Sequence, residues 1–555
     1  MHHALSIPEI LTQVFSELDQ SSNCATARVC KQWSPISLDE VWRDVFLGDV
    51  FRSLGQMRLQ TDHSVPIGVS LIFVEPILVE DWTLFLKNTR RVRHVKDPLY
   101  FDDYPLSSAA VQEILSSRTS AQIFPNLRSI RGFILGYSFE PMFMSNNVLE
   151  IAIVLKRRGN QWPTIEAFHK RVLLIINRMP NIERLSIISD SPFEELEEDI
   201  SLLISRLPTL IELRFPVFCL RPTITRVAAG LRRLKTLEVT REYSQLEGSE
   251  NTTYSCMLPR DVDDPYPALR HLSFAAHRLN VLTFMRPLNR LNLTTFGYHM
   301  LGGNSWLVAL PEDLERPGGA KTSPTFGLEV LSLICRFPRL KSFSIHAAHP
   351  LNITEEQLSG LATGWTAIEE LDLNKTPLIR SQSSLPLKSL LHFRNCRNLR
   401  FLGRYLRIDD DDEFPSIPSH PDEALMFPYT VIDLGSSSCK VHYLNCLNPL
   451  FLRDIALLFA AILRDPNRLR WNHGGSSSDG DDQPEPDERT PLEDRTRSHS
   501  IQSITAFFRT FVKERVVQDM LKRELAARER SHAFELQRAR EDVESLRREL
   551  QRNIA

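Results

Sequence analysis

The sequence predicts an α/β chain: a small N-terminal group of three helices, then a curved stack of strand–helix repeats with parallel strands. Three observations carry this. First, Ile10, Leu11, Val14, Phe15 and Leu18 fall at helical spacing on one broad face. Second, a signature recurs through the middle of the chain, with an apolar residue at position 0, another at +3 and usually a third at +5. A proline often precedes it by two. Third, the residues before several copies have helical period. The unit therefore reads as helix, proline break, strand, which hides its apolar side only when stacked on its neighbours.

The head spans Ser6 to Phe46. Ser6-x-x-Glu9 has capping-box spacing, and Pro8 suits a helix's first turn. Asp19 to Asn23 breaks the pattern and offers a new N-cap. A second helix is expected over Ala25 to Trp33, marked by Val29, Cys30 and Trp33 and stopped by Pro35. Ser37 is expected to cap a third, Leu38 to Phe46, carrying Val41, Trp42 and Val45. A segment of about 40 residues buries such side chains poorly alone and usually needs a metal, disulfides or a partner.

The repeat copies are Ile182/Leu185/Ile187, Leu210/Leu213/Phe215, Leu234/Leu237/Val239, Leu269/Leu272/Phe274, Leu288/Leu291/Leu293, Leu340/Phe343/Ile345 and Ile368/Leu371/Leu373, with weaker members at Leu127/Ile130 and Val92/Val95. A period in the twenties with this pattern is the mark of leucine-rich repeats. The wide gaps from Leu127 to Ile182 and from Leu293 to Leu340 each leave room for a degenerate copy. Helical stretches Val172 to Met179, Ile200 to Leu207 and Leu328 to Phe337 run into prolines 180, 208 and 338. The polar stretch Arg241 to Pro265, the Gly- and Pro-rich Gly302 to Pro324 and the acidic run Asp409 to Glu413 interrupt the array as solvated insertions. Asn448 to Leu463 is expected to cap its end.

These boundaries give a head at 1–50, a repeat domain at 51–470, a linker at 471–499 that is disordered by composition, and a charged helix at 500–555. Only the last heptads of that helix, with Val543, Leu546 and Leu550, are apolar. It specifies a coiled coil weakly: a solvent-exposed helix without tight pairing is the favoured reading, with self-association or a partner helix as the alternative.

Composition excludes several function classes. The 555 residues carry a net charge of −3, so no global field favours nucleic acid or a membrane surface. No apolar run approaches the roughly 18 residues of a membrane span, and MHHALSIPEI lacks the basic-then-apolar order of a signal peptide. The eight cysteines are scattered as reduced thiols of an intracellular protein are. Cys439, His442 and Cys446 have spacing for three zinc ligands, but no fourth lies near in sequence, and buried core cysteines are the default reading. No phosphate-binding loop, nucleophile elbow or other catalytic constellation is present, so no cofactor, no metal and no enzymatic activity are expected. Two basic clusters, Arg90 to His94 and Leu231 to Lys235, read as solvated strand flanks or, more sharply, as a phosphate-reading patch on the concave face.

Ile7-Pro8-Glu9-Ile10-Leu11, Val14-Phe15-x-x-Leu18, Val29-Cys30-Lys31-x-Trp33 and Val41-Trp42 together resemble the F-box in order and spacing. The departures are Ile7, where the family usually has Leu, and Cys24, near which it usually has a leucine. With the repeats added, the chain resembles F-box/leucine-rich-repeat proteins. The irregular copies and the motif Leu351 to Leu358 are similar to the large F-box families of mushroom-forming fungi.

The resemblance implies a substrate-recognition subunit of an SCF-type cullin-RING ubiquitin ligase, acting in the cytoplasm or nucleus. Its F-box would bind a Skp1-like adaptor, and through it cullin, while the repeats hold an unknown protein target. Carried over by position, the adaptor contacts are Pro8, Ile10, Leu11, Phe15, Leu18, Val29, Cys30 and Trp33, some of which must also hold the three helices together. The alternative is a repeat scaffold unconnected with degradation. On this reading Phe15→Asp or Trp33→Asp is expected to abolish adaptor co-purification and leave the repeats folded.

Overall fold

The structure, a computed structural model, describes residues 6–62, 69–96, 106–134, 140–155, 164–189, 193–240, 264–276, most of 278–300 and of 328–409, and short runs beyond, including 431–434, 438–440 and 469–470. The chain divides into two compact units, Met1–Lys321 and Thr322–Ala555.

The first unit opens with α1 (Pro8–Ser16), α2 (Gln20–Thr26) and α3 (Trp33–Val41). Strand β1 (Asp44–Phe46) and helix α4 (Leu47–Arg52) follow, then the antiparallel hairpin β2 (Met57–Thr61) and β3 (Val69–Phe73). Next come α5 (Val79–Thr89), β4 (His94–Lys96), α6 (Ser108–Ser117), β5 (Ser129–Ile134), β6 (Glu150–Leu155), α7 (Ile165–Arg178) and β7 (Arg184–Ser189). The unit continues with α8 (Glu197–Ser205), β8 (Glu212–Pro216), α9 (Pro222–Ala229), β9 (Thr236–Thr240), β10 (His271–Ala276), α10 (Arg278–Met285) and β11 (Thr295–Met300). Strand β1 pairs with β4, and from β4 to β11 each strand pairs with the next; every pair is parallel. This is a leucine-rich-repeat type of stack.

In the second unit α11 (Leu328–Ile334), β12 (Ser342–His346), α12 (Glu355–Gly364), β13 (Glu370–Leu373) and β14 (Phe401–Arg404) continue the helix–strand alternation. After them come β15 (Arg407–Asp409), β16 (Val431–Asp433), β17 (Ser438–Lys440) and β18 (Leu469–Arg470). The parallel order here is β12-β13-β14-β16-β18, with β15 and β17 pairing separately.

Burial explains the signature. The +3 and +5 residues, such as Leu185 and Ile187, Leu213 and Phe215, or Leu371 and Leu373, are buried under the helices that precede each strand. Those helices answer with Phe168, Val172 and Ile175, or Ile200, Leu203 and Ile204. Each such side chain contributes about 1.5–3 kcal/mol on burial. Asparagines in the turns stitch successive repeats. Asn126 Nδ2 donates to Arg90 O (2.7 Å), Asn147 to Pro125 O (2.9 Å) and Asn181 to Asn146 O (3.0 Å). Backbone carbonyls that no strand could satisfy are thereby paired.

Several sequence expectations are corrected. The second helix is Gln20–Thr26, not Ala25 to Trp33, because Asp19 is its cap: Oδ1 accepts from Ser22 N at 2.6 Å. Pro35 lies in the first turn of α3, where a missing N–H costs nothing, instead of ending a helix. Ser37 is buried inside α3 and does not cap. The stretch expected to finish a third helix becomes β1, drawn into the sheet by β4. Pro8 does begin α1, but Ile7 is the N-cap and no side chain caps it, so Ser6 and Glu9 form no capping box.

In the repeats, Leu288, Leu291 and Leu293 precede a strand without forming one. The true frame is Leu293/Phe296/Tyr298, since Leu272 pairs with Phe296 and Phe274 with Tyr298. The gap between Leu127 and Ile182 holds the copy Val148/Ile151/Ile153 on β6. Copies on β1, β14 and β16 had no prior assignment. Residues 301–327, most of Arg241 to Pro265, nearly all of Asp409 to Glu413 and of Asn448 to Leu463, the linker and almost all of the C-terminal segment lie outside the described residues.

Candidate docking surfaces

The head builds one candidate surface. Its core is Leu11 and Phe15, 0% and 2% exposed, with the Trp33 ring edge-on to Phe15 at 5.7 Å between centroids. Asn23, buried on α2, donates from Nδ2 to Phe15 O (2.9 Å) and Leu18 O (3.3 Å). It so adds a side-chain donor to the Phe15 carbonyl in the last turn of α1 and to the Leu18 carbonyl just beyond it. The Asn23 carbonyl in turn accepts from Ser37 Oγ at 2.7 Å, tying α2 to α3. Thr26 and Ser37 also share a hydroxyl–hydroxyl bond. The Ser22 N–H holds the Asp19 carboxyl below its ordinary range.

Around that core the head leaves large apolar side chains in solvent: Ile10 39%, Val14 44%, Leu18 36% and Val29 58% exposed. Ile10 and Val14 are four residues apart and share one face of α1, and Leu18 lies two residues past its end. Of the other positions carried over from the family, Pro8 is exposed and Cys30 and Trp33 are half-buried. The eight positions therefore split. Leu11 and Phe15 form the core, Trp33 bridges core and surface, and Ile10, Leu18 and Val29 are displayed. Val14 belongs with the displayed group but was not among the eight. Its i, i+4 relation to Ile10 was the available signal. Asn23 had no sequence signal, since a buried asparagine and a solvated one read alike.

The head is fused to the repeats. Strand β1 extends the sheet beside β4, and Phe51 of α4 stacks on Phe85 at 5.9 Å. An aromatic row continues through Trp82, Phe124 and Phe143. Arg91 reaches back to α3, donating to Pro35 O at 2.8 Å and pairing with Asp39. The first basic cluster is thus partly structural.

The sheet face opposite the helices is a second candidate surface, and it is charged. In the first unit Glu150 lies between Arg131 (2.7 Å) and Arg184 (3.1 Å). Burial pushes the Glu150 carboxyl up, but hydrogen bonding and charge from the two guanidiniums outweigh it and hold the group below its usual range. Arg214 lies between Glu212 (2.7 Å) and Glu238 (3.0 Å). In the second unit Lys375 bridges Asp433 (2.9 Å) and Asp372 (3.5 Å) and lies over the Phe401 ring. Gly403 stands in register between the two aspartates, where a Cβ would come within 3.0 Å of the Asp372 carboxylate. The second basic cluster, with Arg232, Arg233 and Lys235 exposed, occupies the turn before β9.

Among the described residues no group of His, Cys, Asp and Glu could hold a metal ion. His442 and Cys446 of the considered zinc spacing lie outside them. Burial pushes the Cys335 and Cys396 thiols up to about 11, which makes them inert packing groups at neutral pH. No described helix is long and apolar enough to cross a membrane.

Residues 8–48 match the F-box-like family. The comparison with curated proteins finds no match. Among solved structures, the chain is similar to TLR13 in its complex with ssRNA13, at 13% identity over 70% of this chain and 54% of that one, with a TM-score of 0.29. It is also similar to a chain of the Toll–Spatzle complex of Drosophila, at 12% identity over 65% of this chain and 39% of that one, again with a TM-score of 0.29. The chain thus spans about half or less of these two.

Proposed function

We propose that the chain is a substrate-recognition subunit of an SCF-type cullin-RING ubiquitin ligase, its F-box-like head binding a Skp1-like adaptor and its repeats holding a protein target. The observation that carries this reading is the set of displayed apolar side chains, Ile10, Val14, Leu18 and Val29, around a head whose core is formed by Leu11 and Phe15. Such a surface in a segment matching the F-box-like family suits an adaptor. The proposed domains are the head at 1–50, the repeats at 51–470, a linker at 471–499 and a C-terminal helix at 500–555, in an intracellular protein. The irregular repeats and the motif Leu351 to Leu358, which caps α12 through Thr354 and Gln357, fit the F-box families of mushroom-forming fungi. The chain works by proximity: two binding events on one body raise the target's concentration near the transfer machinery.

The test is co-purification with Skp1. Val14→Asp and Val29→Asp replace displayed residues, so both are expected to abolish capture with an unchanged melting temperature. Phe15→Asp would lose capture merely by placing a carboxylate in the head's core. Full capture by both surface variants would overturn the reading. Capture without ubiquitin-dependent loss of any bound protein would favour a scaffold instead.

A further inference from the structure

Strand β2 is an edge strand with an open outer side. It pairs with β3 in unbroken antiparallel register, from Met57 against Phe73 to Thr61 against Val69, and among the described residues no strand lies on its other side. Two bonds fix where its backbone groups point. The Val74 N–H donates to Gln56 O (2.9 Å), so Gln56, and by alternation Arg58 and Gln60, turn their N–H and C=O toward β3. Leu71, opposite Leu59, instead offers its carbonyl to the Ser107 N–H on its far side (2.9 Å). Met57, Leu59 and Thr61 therefore aim N–H and C=O outward.

Such edges are ordinarily protected by proline, lysine or a bulge. Strand β2 has none of these, and Arg58 is its single charge. Both of its faces are open as well. Arg58 and Gln60 are exposed on one, and Leu59, at 48%, and Thr61 on the other. An incoming strand therefore meets side chains that already stand in solvent.

We propose that the occupant is β2 of a second copy, antiparallel about a two-fold axis through Leu59, in a dimer with a four-stranded sheet. The strand's own sequence argues for this. Centred there, Leu59 meets Leu59 of the second copy, Met57 meets Thr61, and Arg58 meets Gln60, whose amide oxygen accepts from a guanidinium. The Leu59 pair exchanges two main-chain bonds and each Met57–Thr61 pair two more, so every outward group of β2 is satisfied. Leu71, Leu59 and their counterparts in the second copy form one apolar row across the four strands. An axis at Arg58 would set two guanidiniums opposite each other. An axis at Gln60 would bring Arg58 to Asp62 but leave Met57 facing residue 63, beyond the strand. The dimer joins two heads and two repeat arrays in one assembly, and it stands independently of the adaptor reading.

The test is the mass of the full-length chain by sedimentation velocity, over about a hundredfold range of concentration. The native chain is expected to pass from one copy to two. Leu59→Pro removes an N–H that β3 does not use, and Leu59→Lys sets like charges across the axis. Both should hold the chain at one copy with an unchanged melting temperature, and if the proline variant fails to fold the lysine variant decides. Mild oxidation reads the register. Residues paired on the axis lie about 5.5 Å apart between Cα atoms, within disulfide reach. Above the background of the native chain, Leu59→Cys should give at least about tenfold more covalent dimer than Thr61→Cys, whose two copies are offset along the strands. A single copy at every concentration, or equal cross-linking at the two positions, would overturn the proposal. So would a dimer that Leu59→Lys leaves intact and Leu546→Glu with Leu550→Glu dissolves, which would assign it to the C-terminal segment.

Discussion

On α1, neighbouring apolar residues do different work. Phe15 has no exposure to spare and meets Trp33, whereas Val14, one residue earlier, faces solvent. Phe15→Ala should cost about 3–5 kcal/mol and lower the melting temperature of the head in a thermal scan. Val14→Ala should leave it unchanged. Sequence spacing placed both residues on one broad helical face and could not separate them, because that face is wider than the strip α2 and α3 cover. A second residue-scale expectation concerns pH. With its folded-state pKa depressed, His94 takes up its proton at lower pH in the fold than in the unfolded chain, which does so as pH falls through about 6.5. Stability tied to His94 is therefore present above that value and is lost below it. His94→Gln should show a smaller fall in melting temperature between pH 7 and pH 5 than the native chain, and an equal fall would refute the assignment.

Among the elements, the head depends on polar clamps as much as on its small apolar core. Asn23→Ala would remove the side-chain bonds to the Phe15 and Leu18 carbonyls and should cost about 1–3 kcal/mol, read by chemical denaturation of the head. The same elements show how far the sequence could be read. The repeat strands were visible because +3 and +5 apolar residues alternate with polar ones, as a sheet buried on one side requires. The frame slipped at Leu288, Leu291 and Leu293, where consecutive leucines fit the signature and only pairing with β10 selects the later register. The head's helix limits slipped for a local reason: Pro35 can end one helix or begin another, and Ser37 has the chemistry of a cap but is buried against α2. Strand β1 was illegible because its extended form comes from β4, fifty residues away in sequence. Gly403 could be seen only as a glycine. Gly403→Ala should force Asp372 aside, break the Lys375 bridge and cost about 1–3 kcal/mol, measurable as an earlier unfolding transition.

At the scale of the whole chain, head and repeats are not separable parts joined by a tether. Removing residues 1–50 would strip β4 of its partner β1, free Arg91 from α3 and leave Phe51, the stacking neighbour of Phe85, as the new terminal residue. That truncation should aggregate or lose hydrogen-exchange protection at residues 94–96, whereas Val29→Asp should keep it. Point variants are therefore the sound way to silence the head. The opposite holds farther along. Strands β9 and β10 pair without a shift, Thr236 with His271 and Val239 with Phe274, although some thirty residues of chain separate them. Neighbour-to-neighbour stacking sets their register, so the length of the connection does not. The junction is accordingly a port for engineering: a fluorescent domain spliced between Glu250 and Asn251 should report on the folded protein while the strands on either side stay in register.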